Sequence, residues 1–182
     1  MKKVILFLIA ATLSSTAFAQ IYMAQKCEVS FFSPTPLKDL AAVNTASKPL
    51  LNIATGDVQI KIVMTAFVFE KPLMQEHFNE NYVESEKFPN AFFKGKINEK
   101  VDYTKDGEQK VTVTGKFTIH GIEKDRTIDG TIKIDGQRIS ISSTFRLSFA
   151  DYKIEIPSLY TGIIPSDTEV KISATLEPFK KK

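Results

Sequence analysis

The sequence predicts an all-β protein: an eight-stranded antiparallel β-barrel with one short α-helix between strands. Three observations lead there. Between Val111 and Phe149 apolar residues return at every second position in three successive runs, the period that sends neighbouring side chains to opposite faces of a strand. Asp135-Gly136 separates the second and third runs, and this dipeptide favours the tight turn of an antiparallel hairpin. Only the stretch from Pro72 onward has the three-and-four spacing of an amphipathic helix.

Taken in order, the chain opens with Lys2 and Lys3, an apolar run from Val4 to Leu13, and Ala17-Phe18-Ala19. These read as a secretory signal peptide with an A-x-A cleavage site. Residues 1–19 are therefore set apart, and 20–182 are expected to form one domain in the periplasm or outside the cell. The apolar run is too short to span a bilayer, and the mature chain has no longer one. Loss of Lys2 and Lys3 lowers 24 basic residues to 22 against 21 acidic ones, a near-neutral balance that gives no footing for nucleic acid. Cys27, the single cysteine, excludes an intrachain disulfide and lies too far past the cleavage site for lipid attachment. It reads as a small hydrophobe at the start of a first strand over 26–33.

Pro34 and Pro36 end that strand. Residues 37–53 mix apolar and turn-forming positions, which predicts a short helical turn and a short extended piece. Gly56-Asp57 opens a strand with Val58, Ile60, Ile62 and Met64 on one face. Near Ala66 the parity shifts to Phe67 and Phe69, which predicts a bulge or sharp bend. Pro72 suits the first position of a helix, whose apolar stripe is Leu73, Met74, His77, Phe78 and Tyr82. A strand is expected over 92–101, then a turn at Lys105 to Glu108, then the three long runs. A Pro-punctuated connection through Tyr152 and Tyr160 leads to a last strand over 168–176. Every strand keeps one wet face, which excludes a parallel sheet buried on both sides. A wide antiparallel sheet removes its edges by closing, and eight strands enclose room for side chains or one slender ligand.

The runs F-P-N-A-F-F-K-G-K-I (88–97) and V-T-V-T-G-K-F-T-I-H-G-I-E-K (111–124), with F-V-F-E-K-P-L-M-Q-E-H-F (67–78) upstream, resemble the YceI-like family of secreted lipid-binding proteins. The resemblance covers the whole mature chain. It implies a lipocalin-like barrel that holds a long apolar chain in its lumen: a polyisoprenoid, a quinone tail or a fatty-acid derivative. Phe117 stands where the family pattern usually has Leu. With Phe67, Phe69, Phe78, Phe145 and Phe149 it adds bulk that predicts a thinner ligand or a filled lumen.

The expected partner is thus an amphiphilic lipid or isoprenoid, with no cofactor and no catalysis. The inward parity supplies candidate liners on each strand. Val58, Ile60 and Ile62 come from the first long strand, and Phe93 and Ile97 from the next. Val113, Phe117 and Ile119 follow, then Ile132. Ile141, Phe145 and Leu147 lie beyond the Asp135-Gly136 turn, and Val170, Ile172 and Leu176 lie on the last strand. The same residues would equally fill a solid core. His120, before Gly121 at a strand end, is either a hairpin residue bonding local backbone or a polar rim group that meets a ligand head. His77, on the helix stripe, reads as a half-buried packing residue. With two histidines and one cysteine, the chain offers neither zinc-ligand spacing nor an evident nucleophile–base pair. The rival readings are an enzyme acting on an apolar substrate inside the barrel, and a solid barrel that meets a partner through its surface.

Overall fold

The computed structural model describes residues 20–36 and 39–179. The expected signal peptide and the Lys180 to Lys182 tail lie outside these residues. The described residues form ten strands and one short α-helix: β1 (Ile21–Ser33), β2 (Leu40–Asn44), β3 (Leu50–Asn52), β4 (Asp57–Val63), β5 (Val68–Phe69), α1 (Pro72–His77), β6 (Asn90–Ile97), β7 (Gly107–Ile119), β8 (Ile122–Asp135), β9 (Arg138–Ser148) and β10 (Asp167–Pro178). Eight of them, in the order β10-β9-β8-β7-β6-β4-β3-β1, form an antiparallel circuit that β1 closes against β10. Closure pairs Tyr22 with Pro178 at one end and Phe32 with Glu169 at the other, interrupted by a bulge between Ala24 and Lys26.

Strand β1 begins five residues before its expected start because Ile21 to Met23 find a partner in β3. Its far half pairs with β2, and β2 pairs with β5. Residues 37–53 thus hold two strands rather than a helical turn and one extended piece; residues 37 and 38 lie outside the description. Asn44, fully buried, explains the break between these strands. Its amide donates to the Val63 carbonyl at 2.8 Å, while its Oδ1 accepts from the Ala46 N–H at 2.9 Å. One side chain thereby replaces the ladder bonds that the turn gives up.

The parity shift after β4 is a 3-10 turn at Met64–Ala66. It absorbs one residue, so Met64 and Phe67 are both buried while Val68 between Phe67 and Phe69 is 66% exposed. Pro72 starts α1 as expected, but the helix has only six residues and runs into a π-turn at Phe78–Tyr82. Leu73, assigned to the apolar stripe, is 59% exposed; so short a helix turns Met74, His77 and Phe78 inward and leaves Leu73 outside.

The two ends of the barrel differ. At the lower end, short connections at 53–56, 98–106 and 136–137 join the strands. At the upper end three long excursions meet: 34–49, 64–89 and 149–166. The ladder thins at β3, which pairs with β4 at two positions and with β1 at three, and it opens at a seam between β8 and β9. β8 pairs with β7 along its length, from Ile119↔Ile122 to Gly107↔Ile134. It pairs with β9 only from Gly130↔Ser143 to Asp135↔Arg138. Above that point side chains bridge the gap: Ser143 Oγ donates to the Asp129 carbonyl at 2.6 Å, and Arg126 Nη2 donates to the Arg146 carbonyl at 2.7 Å. Among the described residues no helix is long and apolar enough to cross a membrane.

Candidate functional site

The lumen is divided into an upper cavity of about 300 Å³ and a lower one of about 90 Å³. The upper cavity starts from an aromatic cluster that β1 and the 64–89 excursion bring together. Phe78, at the π-turn, stacks on Phe31 of β1 with ring centroids 5.5 Å apart and meets Phe67 at 5.6 Å and Phe69 at 5.0 Å. Offset and edge-on pairs of this kind add to simple area burial. They form one side of the cavity. Ile62, Phe117, Ile119, Leu147 and Val170 come from the strands, and Ile154, Ile163 and Ile164 come from the last excursion.

Few polar groups interrupt this surface. Thr168 is buried, and its hydroxyl is spent on the Phe32 carbonyl at 3.0 Å. Thr35, His77, Tyr82 and Tyr160 are half-exposed and mark the end that reaches water. Burial, and then the neighbouring Tyr160, push the Tyr82 phenol above its usual range. At neutral pH it is a neutral hydroxyl that can donate a hydrogen bond. No Lys, Arg, Asp or Glu lines this cavity among the described residues.

The lower cavity is lined by Val58, Ile60, Phe93, Ile97, Val113, Ile132, Ile141, Phe145 and Ile172, all sequence candidates. Phe117 and Ile62 line both cavities. Leu176 lines neither, being wholly buried in the wall where β10 meets β1 and β9. The lumen is therefore not solid, although Phe117 narrows it. The wall residues followed from parity, including Ile62, Phe117, Ile119, Leu147 and Val170 of the upper cavity; the rest of the upper lining did not. Met74, His77, Tyr82 and Tyr160 sit on short or irregular elements that alternation does not reach. The available cue was F-V-F at 67–69, two aromatics of one parity set just before a helix.

His120 also lines neither cavity. Its backbone is left-handed at φ +53°, as are Glu84 at +44° and Lys153 at +52°. The three positions meet in one clasp. His120 Nδ1 lies 3.0 Å from the Tyr152 carbonyl, Nε2 lies 2.6 Å from a Glu84 carboxylate oxygen, and the ring packs edge-on to Phe88 at 4.8 Å. A carbonyl only accepts, so Nδ1 donates to Tyr152, and Nε2 makes the second contact of the ring, with Glu84. The partners are 32 and 36 residues away in sequence, so the ring ties the β7–β8 hairpin to two excursions rather than to local backbone. Gly121 completes the clasp, since a Cβ there would meet Phe88 at 2.6 Å. Cys27 is buried, and burial, then Glu28, push its thiol up to about 11, far from a reactive thiolate at neutral pH. Among the described residues no group of three His, Cys, Asp or Glu is placed to hold a metal ion.

A closed antiparallel barrel around an apolar cavity defines the class: a fold built to enclose rather than to present a surface. The YceI-like domain model matches residues 32–177, and the chain belongs to that family. Solved structures agree on the fold. A polyisoprenoid-binding domain from Saccharophagus degradans implicated in plant cell wall breakdown superposes with a TM-score of 0.75 at 14% identity, covering 89% of this chain and 99% of that one. Burkholderia cenocepacia BcnA gives 0.69 at 16% identity, over 82% and 95% of the two chains. The Campylobacter jejuni YCEI protein gives 0.59 at 16% identity over the full length of both. No curated protein matches the sequence.

Proposed function

We propose that this protein is a non-enzymatic binding protein of the periplasm or the cell exterior, released there by cleavage after Ala19. It holds the apolar tail of an amphiphile in the barrel and leaves the polar head at the upper end, beside His77, Tyr82 and Tyr160. The observation that carries the reading is the upper cavity: about 300 Å³ falls at the lower bound of small-molecule sites, roughly 300 to 1,000 Å³, and no Lys, Arg, Asp or Glu lines it among the described residues. The ligand named for the Saccharophagus degradans domain supports an isoprenoid or similar chain.

Energetics agree with reversible carriage. Each buried CH2 contributes about 0.8 kcal/mol, so a tail of about ten carbons gains roughly 8 kcal/mol. Association costs roughly 4 to 15 kcal/mol. The surplus comes only from a pocket already formed, and binding is moderate and releasable. Against catalysis stands the lining itself. Among the described residues it holds no Cys, Lys, Arg, Asp or Glu, and His77 is its one imidazole. The test is native mass spectrometry of the protein purified from its own cell envelope, with organic extraction of what it carries. An amphiphile bound one to one is expected; a protein that is empty as isolated and takes up no lipid added back would refute the reading.

A further inference from the structure

Two side chains alone, among the described residues, touch both cavities: Ile62 at the upper end of β4 and Phe117 on β7. Phe117 is buried, and its ring is held edge-on from two sides, by Phe145 with centroids 6.3 Å apart and by Tyr152 at 5.6 Å and 88°. Tyr152 is itself wholly buried, and its carbonyl is tied into the His120 clasp. The ring cannot turn aside unless Tyr152 moves, and Tyr152 cannot move unless the clasp opens. In a densely packed interior such a side chain behaves as a fixed wall.

We propose that Phe117, backed by Tyr152 as a positioning residue, is a chain stop that sets how long a tail the barrel accepts. This rests on the reading of the protein as a binder of apolar chains and adds the ligand class. At about 30 Å³ per heavy atom, the share of a molecule in liquid water, the upper cavity takes about ten carbons and the lower one about three more. The preferred ligand is a single-chain amphiphile whose tail is fully buried at about ten carbons. A longer tail leaves its excess in water. Its head is uncharged and hydrogen-bonding, because the described lining has only phenols, hydroxyls and one imidazole to offer, and a buried charge without a partner is costly.

The test is displacement of the neutral dye N-phenyl-1-naphthylamine from the delipidated protein by primary n-alcohols from hexanol to hexadecanol. Affinity is expected to rise about fourfold per carbon, as burial of a CH2 dictates, and to level off at about ten carbons. In Phe117→Ala the rise continues for at least about three carbons more. Leu73→Ala, at an exposed site that lines neither cavity, leaves the wild-type break in place. A wild-type series that climbs without a break overturns the stop while leaving chain capture intact. The same break in wild type and Phe117→Ala overturns the role of Phe117. If no alcohol of any length displaces the dye, the stop falls together with the binding reading beneath it. Should Phe117→Ala fail to fold, Phe117→Leu and the wild-type series still decide the matter.

Discussion

The lower and upper halves of this barrel solve different problems with the same kind of residue. Below Phe117 long strands run in register, and Ile132, Ile134 and Ile139 pack to near-complete burial. There the apolar side chains are spent on stability. Above Phe117 the strands give way to three excursions, and Phe31, Phe69 and Phe78 are only partly buried around open space. There the apolar side chains keep a cavity open. The difference teaches that hydrophobicity alone does not distinguish a core from a site; the regularity of the backbone that carries it does.

The largest effect is expected at the tightest point of the regular wall. Gly95 and Gly115 face each other across β6 and β7, and a Cβ on Gly115 would lie 2.2 Å from the Lys94 carbonyl oxygen. Gly115→Ala should cost about 4 kcal/mol or more, read as loss of soluble protein or of the cooperative denaturant transition. A Gly115→Ala protein with wild-type stability would show that this half has slack.

Next, truncation should cost unequally in the two halves. Ile139→Ala, at 2% exposure, is expected to lose about 3 kcal/mol. Phe78→Ala removes more carbon but borders an existing cavity, so about 1 to 2 kcal/mol is expected, below the usual cost for a buried Phe. Equal losses in urea titrations would mean that the upper half is packed as tightly as the lower. Unhooking the clasp comes third. His120→Ala leaves the Tyr152 carbonyl and Glu84 without their partner and should cost about 1 to 3 kcal/mol, with early proteolysis confined to 64–89 and 149–166.

The smallest effect is chemical. Burial raises the Cys27 thiol to about 11, so the folded state holds its proton more tightly than the unfolded chain does. The stability this supplies is complete below the unfolded value near 8.5 to 9 and is lost as pH rises through about 11. Native protein at neutral pH should leave Cys27 unlabelled by a thiol reagent, whereas a cysteine placed in the upper cavity as His77→Cys should label. Rapid labelling of Cys27 in the folded protein would contradict its burial.

How much could be read beforehand follows the same division. Strands β6, β7, β9 and β10 were legible because each repeats one rule for eight or more residues, as Val111, Val113, Phe117 and Ile119 do. In β8 the alternation runs only from Ile128 to Ile134, and the charged half before it was not legible as strand. The closed circuit of eight was legible because every strand had one wet face. Strands β2 and β5 escaped because five residues and two residues are too few for a period to show, and a single side chain, Asn44, fixes their turn. The part of the upper cavity carried by the excursions, such as Met74, Tyr82 and Tyr160, escaped for the same reason. His77 belongs to it, and His120 does not, because a distant carbonyl and carboxylate captured the His120 ring, and no local pattern announces partners so far along the chain.

The seam between β8 and β9 has a consequence of its own. From Ile122 to Asp129 one edge of β8 is bonded to β7 while the other has no rungs to β9. Outward amides on that edge should swap their hydrogens for deuterium well before the inward ones on the same strand. Arg126 works there as a latch, its guanidinium on the Arg146 carbonyl and over the Phe145 ring at 5.7 Å. Lifting Arg126, with Ser143 Oγ still on the Asp129 carbonyl at the lower end of the gap, would let the wall above flex like a half-closed zipper, with no ladder bond broken.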